Sequence, residues 1–283
     1  MHVIVSRKQL APDVVQTEVE APLVARKRKA GQFVMIRINE EGERIPLTIA
    51  DSDPVRGTIT LIVQGVGKST RQLNRLQPGD ALADVVGPLG KPTHIEPNAH
   101  VVCIGGGIGA AVVYPILKAY KDSSSHVTSI LGARTKDLLI LEDEIRARSE
   151  QTIVTTDDGT YGMHGFVTDA LKKLMSNGTP IDLVIAIGPV PMMRAVCRVT
   201  AEAKIKTIVS LNPIMVDGTG MCGGCRVMVG GKMQFVCVDG PEFDGHDVDF
   251  DELTSRLKSY LEFEKEAQAQ YENICGVHCG IES

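Results

Sequence analysis

The 283-residue chain is 43% hydrophobic and 23% charged, with a formal net charge of −5. That balance describes a folded globular protein and supplies no basic field, which argues against a nucleic-acid partner. No apolar run reaches the ~20 residues a spanning helix needs, and Arg7 and Lys8 arrive before a secretory signal can form, so a cytoplasmic setting without membrane contact is expected.

Residues 1–97 read as an antiparallel β-barrel or sandwich. Short runs rich in Val, Ile and Thr ("HVIVSRK", "QFVMIRI", "IPLTIAD", "TITLIVQ", "ALADVV") are punctuated by glycine and proline, and one short helix, "STRQLNRL", interrupts them. From 98 to 211 the rhythm becomes strand, helix, strand, from "HVVCIGG" and "AAVVYPILKAY" to "PMMRAVCRVTAEA" and "KTIVSL". Apolar strands of this kind, buried on both faces, predict a doubly wound parallel sheet. "DLLILEDEIRARS" reads as one of its helices. Residues 212–245 form a glycine- and cysteine-bearing unit with a hairpin about Gly230 and Gly231. Residues 246–283 hold an amphipathic helix starting near Asp249 or Asp251, then a tail.

After the strand "HVVCI" stands "GGGIGA", with Gly105, Gly107 and Ala110 in G-x-G-x-x-A order and Gly106, Ile108 and Gly109 between them. Such a loop lets backbone N–H groups approach a pyrophosphate at a helix N-terminus, and by itself it is equally a tight strand-to-helix turn. The acidic residue expected ~20 positions on, for a ribose 2′-hydroxyl, is missing between Asp122 and Asp137, where Arg134 and Lys136 stand instead. Arg134 leans toward a 2′-phosphate, while Asp157 and Asp158 either serve a free ribose or form a solvated turn before Gly159. In "QGVGKSTRQL", Gly67, Lys68, Ser69 and Thr70 open a helix and suit a phosphate, although Ser69 or Thr70 equally serves as the helix cap. A β-rich unit with phosphate-binding features, followed by a nucleotide-type α/β unit, predicts two cofactors facing each other across a cleft.

Seven cysteines, an odd number gathered toward the C-terminus, fit metal ligation better than a disulfide framework. In "DGTGMCGGCRVMVGGKMQFVC", Cys222 and Cys225 form a C-x2-C pair and Cys237 follows on the returning hairpin strand, a set suited to zinc or an iron–sulfur cluster. Counting four intervening residues back from Cys222 reaches Asp217. The order is therefore that of a plant-type 2Fe–2S site with a carboxylate in place of the first thiolate. Glycines 218, 220, 223 and 224 let the loop wrap a cluster. Cys103 and Cys197 fall in apolar elements and are expected in the core. Cys275, His278 and Cys279 offer three donors without a fourth, so a frayed, reduced terminus is the preferred reading there.

Taken in order, "RIPLTIAD", "GVGKST", "GPLG", "GGGIGAA", "LGART", "TDDGTYGMHGFVTDAL", "IGPVPMM" and the cysteine loop resemble the ferredoxin–NADP reductase superfamily along nearly the whole chain. More narrowly, the chain resembles the branch with a C-terminal 2Fe–2S domain. That branch includes the electron-transfer subunit of dihydroorotate dehydrogenase and the small subunit of NADH-dependent ferredoxin:NADP oxidoreductase, and the aspartate-for-cysteine exchange resembles the latter. The resemblance implies FAD in the barrel, with Arg44 near its phosphates, Pro46, Leu47 and Thr48 along the isoalloxazine, Ile62 and Val63 beside it, and Gly67, Lys68, Ser69 and Thr70 at the pyrophosphate. Thr48, bonding flavin N5, is the implied catalytic side chain. The family pattern R-x-Y-[ST] is not met, because Arg44 stands four residues before Thr48 and no tyrosine precedes it. The resemblance also implies NAD(H) on the glycine loop and on Gly188, Pro189 and Met192, against the Arg134 signal. It implies a 2Fe–2S cluster on Asp217, Cys222, Cys225 and Cys237. A larger subunit carrying flavin and 4Fe–4S centres is the implied partner in a heterodimer that bifurcates electrons, with ferredoxin reached indirectly. A dihydroorotate dehydrogenase partner, which should carry Cys at 217, and a non-catalytic redox sensor are the alternatives.

Overall fold

The structure, a computed structural model, describes the backbone of residues 1–279 and the side chains of residues 1–273. The side chains of Cys275, His278 and Cys279 lie outside the described residues.

The first unit runs β1 (His2–Ala11), β2 (Val14–Glu20), α1 (Pro22–Lys27), β3 (Phe33–Arg37), β4 (Arg44–Asp53), β5 (Thr58–Gln64), α2 (Lys68–Arg75), β6 (Ala81–Leu82) and β7 (Asp84–Leu89). Its sheet order is β6-β1-β2-β5-β4-β3-β7 with antiparallel neighbours. The two strands at the ends of that order are consecutive in the chain, and Ala83 between them donates to the Ile38 carbonyl, so the sheet curls into a near-closed barrel. Ile4, Val19, Val34, Ile36, Ile49, Ile59 and Leu61 fill it. Strand β2 and helix α1 were absent from the sequence reading. In β2 an inward position is taken by buried Thr17, a polar residue that blunts the alternation.

The second unit runs β8 (His100–Gly106), α3 (Gly109–Asp122), β9 (His126–Ala133), α4 (Glu142–Arg146), β10 (Gln151–Thr156), β11 (Met163–His164), α5 (Val167–Ser176), β12 (Leu183–Ile187), α6 (Val190–Glu202) and β13 (Lys206–Ser210). Strands β10, β9, β8, β12 and β13 are parallel neighbours in that order, which is the doubly wound arrangement. The order reverses between β8 and β12, and ligands of such sheets bind beyond the carboxyl ends of the strands at that reversal. The helix expected over 137–149 is instead a 3-10 turn at Lys136–Leu138 and the short α4, separated by Leu141 at φ +57°. Ile140 and Leu141 are both buried, so this apolar run plugs the core rather than continuing a helical stripe.

The third segment comprises β14 (Arg226–Val229), β15 (Lys232–Phe235), α7 (Val236–Asp239), β16 (Glu242–Asp244), α8 (Phe250–Leu257) and α9 (Leu261–Cys279). The hairpin turns at Gly230 and Gly231 as expected, but Cys237 lies in the one-turn α7 after the returning strand rather than on it. Strand β16 adds antiparallel to β13, and one core joins Val102 and Ile104 of the sheet to Cys225, Val227, Cys237, Phe250 and Leu253. The C-terminal helix is divided. Asp249 caps α8 by accepting from the N–H groups of Asp251 and Glu252, and α8 buries Phe250 and Leu253. The exposed α9 then turns toward the barrel, where Glu272 pairs with Arg71 of α2 and Arg75 donates to the Tyr271 hydroxyl. Among the described residues, no helix is long and apolar enough to cross a membrane.

The first residue of β16, Glu242, accepts a 2.6 Å hydrogen bond from the Thr93 hydroxyl, and burial pushes its carboxyl up to about 7. A carboxyl raised this way takes up a proton on folding between the unfolded value near 4.5 and about 7, so its contribution favours the fold below 4.5 and is lost as pH rises through 7. Glu242→Gln keeps an acceptor for Thr93 without the charge. It should raise stability at pH 8 by ~2–3 kcal/mol and change it little at pH 4.5, read by urea unfolding at both pH values.

Candidate functional site

The carboxyl ends of β8 and β12 meet, with Gly105 opposite Ile187 in the ladder. The "GGGIG" loop and the "GPVPMM" segment are consequently in contact. A Cβ added to Gly106 would collide with Met192 Sδ, and one on Gly188 would lie 2.7 Å from Met192 Cε. Gly107 has φ +55° with nothing within 4 Å of a Cβ, so the mouth of the loop is open on that side, while its own N–H donates to the Gly132 carbonyl at 2.8 Å. Gly109 begins α3 so close to β12 that a Cβ there would overlap the Ile187 carbonyl oxygen. Gly105, Gly106, Gly107, Ile108, Gly109, Gly188, Pro189 and Met192 thus form one cradle.

Arg134, Asp157 and Asp158 are exposed at the ends of β9 and β10. Asp158 accepts from the Thr160 N–H and hydroxyl at 3.0 and 2.7 Å, which holds its carboxyl below the usual range and gives it the role of a turn residue. A cleft of about 440 Å³ opens beside β10, lined by Arg146, Tyr161 and Lys173, but no residue of the glycine cradle lines it.

In the barrel, neither Ser69 nor Thr70 is the helix cap. Gly67 takes that place, and Thr70 Oγ1 accepts from the N–H groups of Val66 and Gly67 at 3.1 and 3.0 Å. Ser69 donates to Glu43 at 2.8 Å, and Lys68 is exposed. Beside Gly67 nothing lies within 4 Å of a Cβ, so the start of α2 is open to a phosphate. Pro46, Leu47 and Thr48 are half-buried along β4, with Thr48 opposite Phe33 and Pro46 opposite Met35. Arg44 is exposed at the start of the strand. Ile62 is half-buried against the α/β core, whereas the Val63 side chain lies inside the barrel and leaves only backbone for a cofactor.

The cysteine loop rests on β3 and the end of β7: a Cβ on Gly218 would lie 2.6 Å from Met35 Cγ and 3.2 Å from Leu89 Cδ1. Asp217 Oδ2 accepts from the Thr219 hydroxyl and, at 2.9 Å, from the Thr219 N–H. Those bonds hold its carboxyl below the usual range, with a further contribution from Arg44. Cys222 is exposed, and the Gly224 N–H at 3.4 Å from its sulfur draws the thiol down. Cys225 and Cys237 are buried with their sulfurs 3.2 Å apart. Burial and that neighbour push the Cys237 thiol up to about 12, so it stays a thiol until a metal displaces the proton. Among the described residues, no three donors are gathered as a single-ion site requires. A two-iron cluster divides its four ligands between two metals, and the adjacent sulfurs of Cys225 and Cys237 suit one half of that division. Cys103 and Cys197 are buried core residues, and burial pushes each thiol up to about 12.

Thr219, Met35 and Leu89 escaped the sequence reading. "DGT" is an Asp–Thr turn signal that marks Thr219 as the residue orienting Asp217. Met35 and Leu89 carry no local signal.

Residues 103–198 match the oxidoreductase NAD-binding domain, and residues 212–249 match the iron–sulfur cluster binding domain of dihydroorotate dehydrogenase B. A Thermotoga maritima protein described as a homologue of the dihydroorotate dehydrogenase B (NAD(+)) electron transfer subunit is 48% identical, with 96% of both chains covered. The corresponding electron transfer subunit of Geobacillus thermodenitrificans is 34% identical over 87% of this chain and 96% of its own. A solved chain of an NADH-dependent reduced ferredoxin–NADP oxidoreductase superposes with a TM-score of 0.91 at 47% identity, covering 96% of this chain and 98% of its own. The chain therefore belongs to the family of dihydroorotate dehydrogenase B electron-transfer subunits and their homologues, and is an NAD-binding oxidoreductase subunit of the ferredoxin-reductase type whose cofactors are FAD, a 2Fe–2S cluster and NAD(H).

Proposed function

We propose that this chain is the small subunit of an NADH-dependent reduced ferredoxin–NADP oxidoreductase, exchanging electrons between NAD(H) and a larger flavin and 4Fe–4S subunit in electron bifurcation. The observation that carries this reading is Asp217: a carboxylate, oriented by Thr219, stands where a dihydroorotate dehydrogenase partner is expected to carry a cysteine. When bound, FAD accepts a two-electron hydride from the nicotinamide and the cluster relays electrons singly.

The residues divide the work by position. Gly105 to Gly109 and the N-terminus of α3 hold the dinucleotide pyrophosphate, Gly188, Pro189 and Met192 enclose its nicotinamide end, and Arg134, Asp157 and Asp158 border the adenosine end. Gly67, Lys68, Ser69 and Thr70 receive the flavin pyrophosphate with Arg44 nearby, while Pro46, Leu47, Ile62 and the Val63 backbone flank the ring. Asp217, Cys222, Cys225 and Cys237 would hold the cluster. The contact of Gly218 with Met35, opposite Pro46, supports a short path between the ring and the cluster loop.

Thr48 would donate its hydroxyl to the ring edge. Thr48→Val should leave FAD bound and slow its reduction roughly two- to twelvefold, the worth of one hydrogen bond of ~0.5–1.5 kcal/mol. Unchanged stopped-flow reduction would remove Thr48 from this role.

The function is tested by purifying the native complex and identifying the subunit that comes with it. A larger flavin and 4Fe–4S subunit supports the reading, and a dihydroorotate dehydrogenase subunit rejects it. The isolated chain should also reduce an artificial acceptor faster with NADH than with NADPH. A preference for NADPH would make Arg134 a phosphate ligand, and negligible turnover with both would favour a redox sensor.

A further inference from the structure

A β-bulge between Ile49 and Asp51 breaks the register of β4 with β5. Bulges redirect side chains, and this one coincides with a carboxylate shared between two units. Asp51 Oδ1 accepts from Arg28 Nη2 at 2.8 Å, and both Asp51 oxygens accept from Lys118 Nζ, at 3.0 and 2.8 Å. Arg28 also donates through Nε to Ser52 Oγ at 2.8 Å. The three side chains are 35% (Asp51), 11% (Arg28) and 23% (Lys118) exposed, so the junction is partly shielded from water and salt. Arg28 and Asp51 both belong to the barrel, whereas Lys118 belongs to α3 and lies 5.4 Å from the Tyr114 ring one turn earlier on that helix.

Each end of this junction leads to a cofactor cradle along a single element, through α3, which carries Pro115 within it, and through β4 across its bulge. Lys118 is nine residues from Gly109, about 13 Å along the helix whose N-terminus closes the dinucleotide loop. Asp51 is three residues from Thr48, about 10 Å along the strand that flanks the flavin. A shift of α3 against β4 therefore moves the glycine loop relative to Thr48.

We propose that the Lys118–Asp51–Arg28 junction sets the distance and angle between the dinucleotide helix and the flavin strand, which makes Lys118 and Asp51 positioning residues for hydride transfer. This rests on the reading above that NADH reduces FAD in this chain. Neither residue touches the reacting atoms. Their effect is on alignment, to which hydride transfer is sensitive because small misplacements of reacting groups slow catalysis steeply.

Lys118→Met keeps the hydrocarbon stem and the Arg28–Asp51 pair, and severs only the link to α3. In the FAD-loaded full chain it should slow flavin reduction at saturating NADH about tenfold, with KM for NADH changed less than about twofold. It should also weaken the long-wavelength flavin–nicotinamide charge-transfer absorbance, and Lys118→Arg should restore both rate and absorbance. Wild-type rate and absorbance in Lys118→Met would overturn the proposal, as would loss of FAD or a change confined to KM. Amide exchange in the nucleotide-free protein gives an independent arm: faster exchange in the first turn of α3 supports the junction, and unchanged exchange counts against it. A wild-type chain inert toward NADH would reject the functional reading, and the exchange arm would still decide the junction.

Discussion

Asp217→Ala is expected to leave the 2Fe–2S cluster labile or lost while FAD stays bound, and Asp217→Cys to keep a cluster with a shifted EPR spectrum and midpoint potential. The donors Cys225 and Cys237 sit together in the core, whereas Asp217 and Cys222 belong to an accessible loop held by hydrogen bonds to Asp217 itself. On the proposed ligation, alanine at 217 deletes an iron ligand and the acceptor for Thr219 at once, so both the metal and the loop lose an anchor. The flavin strand and the start of α2 lie in the barrel, outside that loop, so FAD content should hold. Cysteine at 217 restores the thiolate spacing without changing loop length, and exchanging a hard carboxylate for a softer thiolate alters the iron it binds. Iron analysis, EPR and redox titration of the two variants decide the matter. An Asp217→Ala protein with unchanged iron content, spectrum and potential would show that Asp217 is a turn residue.

Gly109→Ala is expected to destabilise the protein by ~3 kcal/mol or more and to weaken NADH binding at least ~10-fold, with FAD retained. The added methyl would overlap the Ile187 carbonyl oxygen and lie 2.7 Å from the Ile187 carbonyl carbon and 3.0 Å from Gly188 Cα. All three atoms are backbone, so no rotamer change relieves the clash, and α3 must withdraw from β12. That withdrawal displaces the helix N-terminus proposed to hold the dinucleotide. Urea unfolding reads the first effect and NADH titration the second. A variant with wild-type stability and affinity would show that α3 adapts without moving the loop.

Most of the architecture was legible because each part repeats a local rule. Alternating Val, Ile and Thr runs marked the barrel strands, continuous apolar strands between helices marked the parallel sheet, and D-x4-C-x2-C marked the cluster loop. The sequence reading went astray where one residue serves two demands. Ile140 and Leu141 fit a helical run but are drawn into the core, which breaks the helix there. Thr70, offered as a cap by composition, is the third helical residue reaching back to Val66 and Gly67.

By itself the amino-acid order determined the cysteine spacing, the two glycine-bearing turns that open helices and the succession of barrel, sheet and cysteine loop, because these depend on neighbours a few residues apart. Only the tertiary structure decided which distant residues meet. Residues far apart in the chain come together in Gly218 on Met35, Met192 against Gly106, Lys118 on Asp51 and Glu242 beneath Thr93. No local pattern encodes such pairs, since each results from the packing of whole strands and helices against a shared core, and a carboxylate reads the same in sequence whether it faces water or a lysine of another unit.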